Sequence, residues 1–287
     1  MRGCILEQAL TAHPMVIRRL RFADDLIRRI CAMLGLADFP CEQGQPIPAG
    51  WHFPLLACET ARQDLRADGF PGLGVPMPGL GLSRTVAAGR TVRFERPLLL
   101  GAPLTRKSAI VSVKHKDGAA GPLAIVTNAH EITEATTSAD QPAAIYEEQT
   151  YMLLGSPYAE RDRADPPTAS PANVVRTITP DETLLFLFSA LSFNSHKIHL
   201  DRDYARGVEG YPDLVVNGGI VTLLMTEIAR LDFGRSIRSL SLRNKAPLFC
   251  NRPISLVADE TATGLRIAAL DQNGHLAAEM EVVTDEL

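Results

Sequence analysis

The sequence predicts an α+β fold built from two copies of one unit, each a helix wrapped by an antiparallel sheet. Three observations lead there. Residues 93–104, RFERPLLLGAPL, and residues 243–254, RNKAPLFCNRPI, share the pattern R-x3-P-L-x4-P-[LI] at an offset of 150 positions. Each copy is followed by strand-like runs broken by a turn dipeptide, Asp117-Gly118 in the first half and Asn273-Gly274 in the second. Each half also carries a candidate helix upstream of its copy.

The elements follow in chain order. A helix is expected near Met15–Leu36. A second candidate, WHFPLLACETARQDLRADG at 51–69, would be the central helix of the first unit. After the first repeat copy, Ala109, Val111 and Val113 alternate with Ile110, Ser112 and Lys114, and a second apolar run spans Leu123–Ile132. The stretch from about 136 to 169 is rich in Ala, Thr, Ser, Asp and Pro and has poor periodicity. It reads as a linker with a short helix near Tyr146–Leu154. In GGIVTLLMTEIARLDFG, the residues Ile220, Leu223, Leu224, Ile228 and Leu231 fall on one helical face, and Gly234 can end the helix. The expected domains are therefore 1–135 and 170–287, with 136–169 between them and 93–132 superposing on 243–283.

Composition narrows the function. The formal net charge of −4 argues against a nucleic-acid partner, which usually demands a basic face. The 5 cysteines are odd in number and widely spaced, a pattern that suits a reducing cytoplasm and neither a disulfide framework nor a zinc site. No run of about 18 apolar residues occurs, so no membrane-spanning helix is expected. The first residues are too short and interrupted in their apolar stretch for a signal peptide. GFPGLGVPMPGLG at 69–81 has Gly-x-Gly spacing, but Pro71, Pro76 and Pro78 exclude a phosphate-binding helix start there, and it reads as a loop.

The richest stretch for chemistry is FSALSFNSHKIHLDRDYA at 188–205, followed by VEGYPDLVVNGGI. It resembles the hydratase 2 motif of MaoC-like enoyl-CoA hydratases and dehydratases, a pattern like D-x-N-P-[LIV]-H-x-D. Ile198, His199 and Asp201 agree with that pattern. Asn194 stands where the family has its catalytic Asp, His196 where it has Asn, and Lys197 where it has Pro. The variant F-N-x-H-x-I-H-x-D resembles a subgroup with mesaconyl-CoA and itaconyl-CoA hydratases and mitochondrial-type 3-hydroxyacyl-thioester dehydratases. PAGWHFPLLA at 48–57 and SRTVAAGRTVRFERPLLLG at 83–101 resemble further segments of that subgroup, though Thr85, Val86 and Ala88 depart from it. The resemblance implies a tandem, or double, hot-dog: two units packed as a pseudo-dimer with adjacent helices and one continuous sheet. It also implies an acyl-CoA substrate, no cofactor, and pairing of chains into a homo-oligomer, a dimer of double hot-dogs.

Hydrating an α,β-unsaturated thioester needs a base for water, an acid for Cα, and a holder for the enolate-like oxygen. Histidine can act as base and acid near neutral pH, and His199 matches the family's catalytic His. Asn194 cannot exchange protons, but its amide can aim the water. His196 is either a second acid/base or a loop-bracing histidine. Asn217, Gly218 and Gly219 precede a helix, where unpaired N–H groups and the dipole favour an oxyanion. Arg84, Arg90, Arg243 and Lys245 are candidates for CoA phosphates or a substrate carboxylate. Asp201 is expected to cap or brace the loop. His196, His199 and Asp201 lack a recognised zinc spacing, so no metal is expected.

The expected activity is hydration of a short branched dicarboxylic enoyl-CoA of the itaconyl or mesaconyl type. The rivals are a 3-hydroxyacyl-thioester dehydratase of fatty-acid or polyketide synthesis and a non-catalytic acyl-CoA-binding hot-dog protein. A thioesterase is disfavoured, because hot-dog thioesterases usually rely on a carboxylate.

Overall fold

A computed structural model of the chain describes residues 14–36, 39–72, 74–118, 121–135, 141–159 and 174–285. Ten strands form one antiparallel sheet: β1 (Val16–Arg21), β2 (Arg84–Phe94), β3 (Pro103–Gly118), β4 (Gly121–Glu134), β5 (Ile145–Leu154), β6 (Val174–Ile178), β7 (Ile237–Asn244), β8 (Ile254–Thr261), β9 (Gly264–Leu270) and β10 (Leu276–Thr284). Their order is β1-β3-β4-β5-β2-β7-β10-β9-β8-β6. Read from the middle outward, each half repeats the same sequence of strands.

The repeat seen in the sequence has a structural counterpart in the loops after β2 and β7. Ile47 N–H donates to Leu98 O, and Val216 N–H donates to Leu248 O, 150 positions further on at the acceptor. Leu100 N–H donates to Gln45 O, and Cys250 N–H to Leu214 O. The two Pro-framed segments therefore clamp matching backbone in each half. That backbone is residues 45–47 in one half and 214–216 in the other.

Helices α1 (Asp24–Leu34) and α2 (Glu182–Leu191) also correspond, and they pack against one another. Each ends with the residue after its C-cap turn in the left-handed region, Gly35 at φ 69° and Phe193 at φ 47°. In α2, Phe193 N–H donates to Ala190 O and Asn194 N–H to Ser189 O, the paired bonds of a Schellman motif. Glycine takes this conformation without cost, whereas a bulky residue there stores strain of about 1 kcal/mol or more. That turn directs the chain straight into the His-rich loop.

The central helix α4 (Gly218–Glu227) follows, with a wider π-helical turn at Ile228–Asp232. It is buried on nearly all sides: Ile220, Val221, Thr222, Leu223, Met225, Thr226 and Glu227 are all inside. Leu224 is only partly buried and Leu231 is exposed, so the one-faced stripe expected from the sequence understates the burial. The apolar core joins residues of both halves, from Phe22 and Trp51 to Leu223 and Met280.

Three expectations are corrected. No long central helix forms at 51–69; the first half has short 3-10 turns at Phe53–Leu56 and Arg62–Asp64. Pro54 lies in the first turn of the Phe53–Leu56 segment, where proline is tolerated, and the helix stops because the backbone turns extended at Ala57. The helix near Met15–Leu36 is shorter than expected, since Val16–Arg21 is strand β1. Tyr146–Leu154 is not a linker helix but part of β5, a full sheet member paired with both β4 and β2. Its burial alternates strictly, BiBeBiBiBi, as a half-buried strand should.

The hairpin correspondence also shifts. The Asp117-Gly118 hairpin joins β3 to β4, and its counterpart joins β8 to β9 around Thr261 and Gly264. Asn273-Gly274 lies in the next hairpin, β9 to β10. Residues 93–132 thus span two strand crossings where 243–283 span three, and they do not superpose as one block. Among the described residues, no helix is long and apolar enough to cross a membrane.

Candidate active site

A cavity of about 1100 Å³ opens along the face of the sheet where α4 begins. Asn194, His196, His199, Asn217, Gly218 and Gly219 all border it, as do Arg84, Arg90 and Lys245. The first group comes from two elements. Asn194, His196 and His199 lie on the loop after α2, and the glycines open α4.

The loop is held by its own side chains. Asn194 Oδ1 accepts the His196 N–H at 3.0 Å, and Ser195 Oγ donates to Gly69 O at 2.7 Å. A 3-10 turn at Lys197–His199 then places His199, and Asp201 caps the six-residue helix α3 (Arg202–Gly207) by accepting Tyr204 N–H at 2.9 Å. Asp201 is thereby a brace, as its position suggested. His196, His199 and Asp201 do not converge on a common point for a metal.

His199 is buried, and its Nδ1 lies 2.7 Å from Val215 O. A carbonyl oxygen only accepts, so Nδ1 carries the hydrogen and Nε2 keeps its lone pair. Burial, with a contribution from His196, pushes the His199 pKa down to about 3. The ring is a neutral base at physiological pH. His196 stands edge-on to it, with ring centroids 5.4 Å apart.

Two acidic residues that sequence reasoning missed face His196. Its Nε2 lies 3.9 Å from Asp68 Oδ2 and 3.7 Å from Glu209 Oε1. All three side chains are buried. Asp68 comes from the first half and accepts from Arg66 Nη2 at 3.0 Å, Phe70 N–H at 2.9 Å and Thr85 Oγ1 at 3.4 Å. Asp68, His196 and Glu209 are close enough to offer three ligand atoms to a cation. The donors on Asp68 hold that carboxylate alone; His196 Nε2 and both Glu209 carboxylate oxygens are buried without a hydrogen-bond partner among the described residues. No local signal in the sequence links residues so far apart, although Arg-x-Asp at 66–68 sits at the edge of the Gly- and Pro-rich loop.

The start of α4 is bare. The Gly218 and Gly219 N–H groups have no acceptor among the described residues, as expected for a helix N-terminus. A Cβ on Gly219 would collide with the Phe188 ring, including Cε1 at 2.8 Å, so glycine is required by packing as well as by ligand access. Asn217 Nδ2 donates to Ser189 Oγ at 3.2 Å, tying the helix start to α2, while its Oδ1 is buried without a protein partner.

The four basic candidates separate clearly. Arg243 is exposed on β7 and does not border the cavity. Lys245 is at the rim, 2.9 Å from Glu279. Arg90 lies deep, with Glu147 at 3.3 Å and its guanidinium over the Phe53 ring at 4.1 Å. Arg84 donates to Ser156 O at 2.9 Å and to Tyr211 Oη at 3.2 Å. Among the described residues no carboxylate lies within ion-pair distance of Arg84.

Opposite the site, a second polar network fills the first half where its helix is missing. His52 Nε2 is 2.8 Å from Glu147 Oε2, and Tyr151 Oη donates to Gln149 Oε1 at 2.8 Å. His130 Nδ1 lies 2.9 Å from Ser108 Oγ. Burial pushes the His130 pKa down to about 4, and Arg90 and His52 outweigh burial to hold Glu147 down at about 2.

Comparison with known proteins agrees with this geometry. The pattern of the family "Hydroxyacyl-thioester dehydratase type 2" matches residues 50–250. The chain is 36% identical to the mesaconyl-C(4)-CoA hydratase of Chloroflexus aurantiacus over 239 residues, 83% of each protein. Among solved structures, a MaoC-like dehydratase from Phytophthora capsici aligns with TM-score 0.67 at 15% identity over 98% of this chain and 99% of that one. A Mycobacterium tuberculosis protein described as having a double hotdog fold aligns with TM-score 0.59 at 12% identity, over 97% and 98%. With its His loop and bare helix start inside the matched span, this double hot-dog chain belongs to the type 2 hydroxyacyl-thioester dehydratase family and is a hydro-lyase of the hydratase/dehydratase type.

Proposed function

We propose that the protein hydrates a short branched dicarboxylic enoyl-CoA, of the mesaconyl or itaconyl type. The observation that carries the reading is that the buried His199 ring and the bare Gly218–Gly219 N–H groups line one cavity. The 36% identity to a mesaconyl-C(4)-CoA hydratase supports the acyl class.

In this reading the thioester oxygen sits on the Gly218 and Gly219 N–H groups. The α4 dipole and these donors stabilise the charge that develops there. Water held by the Asn194 amide loses a proton to His199 Nε2 as its oxygen bonds to Cβ. The electron pair of the double bond moves onto the enolate oxygen. Collapse of the enolate takes that proton at Cα, either directly back from His199 or from His196 after His199 has passed its proton on to His196. No external oxidant or cofactor enters, and His199 ends as it began. The same steps in reverse give dehydration of a 3-hydroxyacyl thioester, the reading that the family's name favours. Cytoplasmic action as a homo-oligomer completes the proposal.

The test is incubation of the purified chain with crotonyl-, mesaconyl- and itaconyl-CoA and with 3-hydroxyacyl-CoA esters, followed by mass detection of gained or lost water. A gain of one water on mesaconyl- or itaconyl-CoA is expected. Turnover of straight-chain esters alone would move the assignment to the dehydratase reading. Binding of all the esters with turnover of none would leave a non-catalytic acyl-CoA protein.

A further inference from the structure

We propose that Arg84 binds the free carboxylate of the acyl group and thereby selects dicarboxylic substrates; this rests on the enoyl-CoA hydratase reading above.

Three cationic side chains other than histidine border the cavity, and two are already neutralised. Arg90 has Glu147 beside it, and Lys245 has Glu279. Arg84 has only neutral partners, the Ser156 carbonyl and the Tyr211 hydroxyl. Burial raises the Tyr211 pKa, so that hydroxyl stays uncharged. The two bonds hold the guanidinium in place and leave its charge unbalanced. A partly buried cation of this kind gains most from an anion that arrives with the ligand. The planar Arg fork suits a carboxylate, which it can grip through two parallel N–H donors.

Its position fits the acyl end of the cavity rather than the CoA end. Arg84 is followed by Thr85, whose hydroxyl reaches Asp68, and Asp68 faces His196. Tyr211, the partner of Arg84, lies two residues after Glu209, which also faces His196. Arg84 therefore shares one cavity with the proton-transfer histidines. The exposed Lys245 marks the cavity rim. A thioester seated on Gly218 and Gly219 leaves its CoA toward that rim and sends its acyl carbons past His199 toward Arg84. In a five-carbon branched enoyl dicarboxylate, the second carboxylate lies on or next to the carbon that water attacks. Its binding cation must then line the same cavity as the catalytic histidines, as Arg84 does.

The same chemistry could serve a CoA phosphate, and the experiment separates the two. Parent protein, Arg84→Met and Arg84→Lys are assayed with mesaconyl-CoA and crotonyl-CoA, which share CoA and differ in the carboxylate. The readout is the ratio of kcat/KM for mesaconyl-CoA to that for crotonyl-CoA. Arg84→Met is expected to lower this ratio at least about tenfold, the scale of a charged hydrogen bond, with Arg84→Lys between the two. Equal losses on both substrates would assign Arg84 to CoA or to the fold and overturn the proposal. An unchanged ratio would overturn it too. A parent protein that shows no preference for the carboxylate sinks the substrate reading and this proposal together, whereas a preference kept by Arg84→Met sinks only the role of Arg84. Should Arg84→Met not fold, Arg84→Gln retains donors for Ser156 and Tyr211 and carries the same test.

Discussion

Thr91 and Ser241 lie directly opposite each other where β2 meets β7, and they are related by the same 150-position offset as the two Pro-framed segments. The flanking pairs exchange under the same offset: Gly89 faces Arg243, the counterpart of Arg93, and Arg93 faces Ser239, the counterpart of Gly89. A local two-fold axis therefore passes through the Thr91–Ser241 pair. The two halves meet as two subunits of a symmetric dimer would.

His199 is expected to dominate turnover. His199→Ala should lower kcat at least about a hundredfold, the usual scale for a general acid/base, with an unchanged far-UV circular dichroism spectrum. Activity within a few-fold of the parent would remove His199 from the proposed mechanism.

Asn194 has two duties to separate. Its Oδ1 already accepts the His196 N–H, so it shapes the loop as well as facing the cavity. Asn194→Ala should reduce kcat with little change in KM, because aiming water matters at the transition state. Asn194→Asp preserves the acceptor for His196 and should retain part of the activity, with a new acidic limb in its pH profile. Full activity in Asn194→Ala would shift attention to His196.

Gly219→Ala forces a methyl group into the Phe188 ring. Overpacking of this kind costs about 1–3 kcal/mol, read as a lower denaturation midpoint. Adding Phe188→Leu should recover part of the loss. Strict additivity of the two substitutions would mean that the ring is not what excludes the methyl group.

Acid should destabilise the fold well before its carboxylates titrate. His130 and His199 are held neutral, at about 4 and about 3, whereas in the unfolded chain they protonate near 6.5. The unfolded state then binds more protons below about pH 6.5, so stability falls as pH falls. Between pH 7 and 5 the linkage amounts to about 2 kcal/mol per histidine. Urea denaturation at the two pH values tests this, and His130→Phe should flatten the slope. A stability that is level from pH 7 to 5 would contradict it.

Trp51 of the first half donates through Nε1 to Glu227 of α4 at 2.7 Å, and Arg230 completes the pairing of that buried carboxylate. Trp51→Phe keeps most of the apolar volume but strips one donor. The expected loss is about 1–3 kcal/mol, measured as equilibrium unfolding. A neutral result would show that Arg230 alone satisfies Glu227.

The sequence was most legible where pattern and structure share a period. The strands β3, β4, β9 and β10 and the helix at 218–227 announce themselves by alternation or helical spacing, bounded by Gly-containing turns. Strand β5 was not legible, because Tyr146–Leu154 includes Glu147, Gln149 and Thr150, polar residues that look solvent-bound in isolation. In the fold, Glu147 points inward to His52 and Arg90, far away in sequence, and Gln149 bridges Glu147 and Tyr151 along its own buried face. The helix expected at 51–69 is broken into two short turns by extended backbone at Ala57 and Ala61, which the apolar spacing did not announce. The candidate site divides the same way. His199 and the glycines were readable from one contiguous stretch. Asp68, joined to His196 across more than a hundred residues, became visible only once the halves were folded together.

The short turn at Phe53–Leu56 also has a consequence for how the two halves can differ. In an assembly of two identical subunits, any substitution appears twice, so a residue that serves one copy burdens the other. Here a single chain carries both copies, and one half can keep a short turn while its counterpart grows the central helix and the glycine-started cradle. The first half supplies Arg84, Asp68 and Trp51 as walls and supports. Division of labour between duplicated parts is thus written into the unequal lengths of two matching segments.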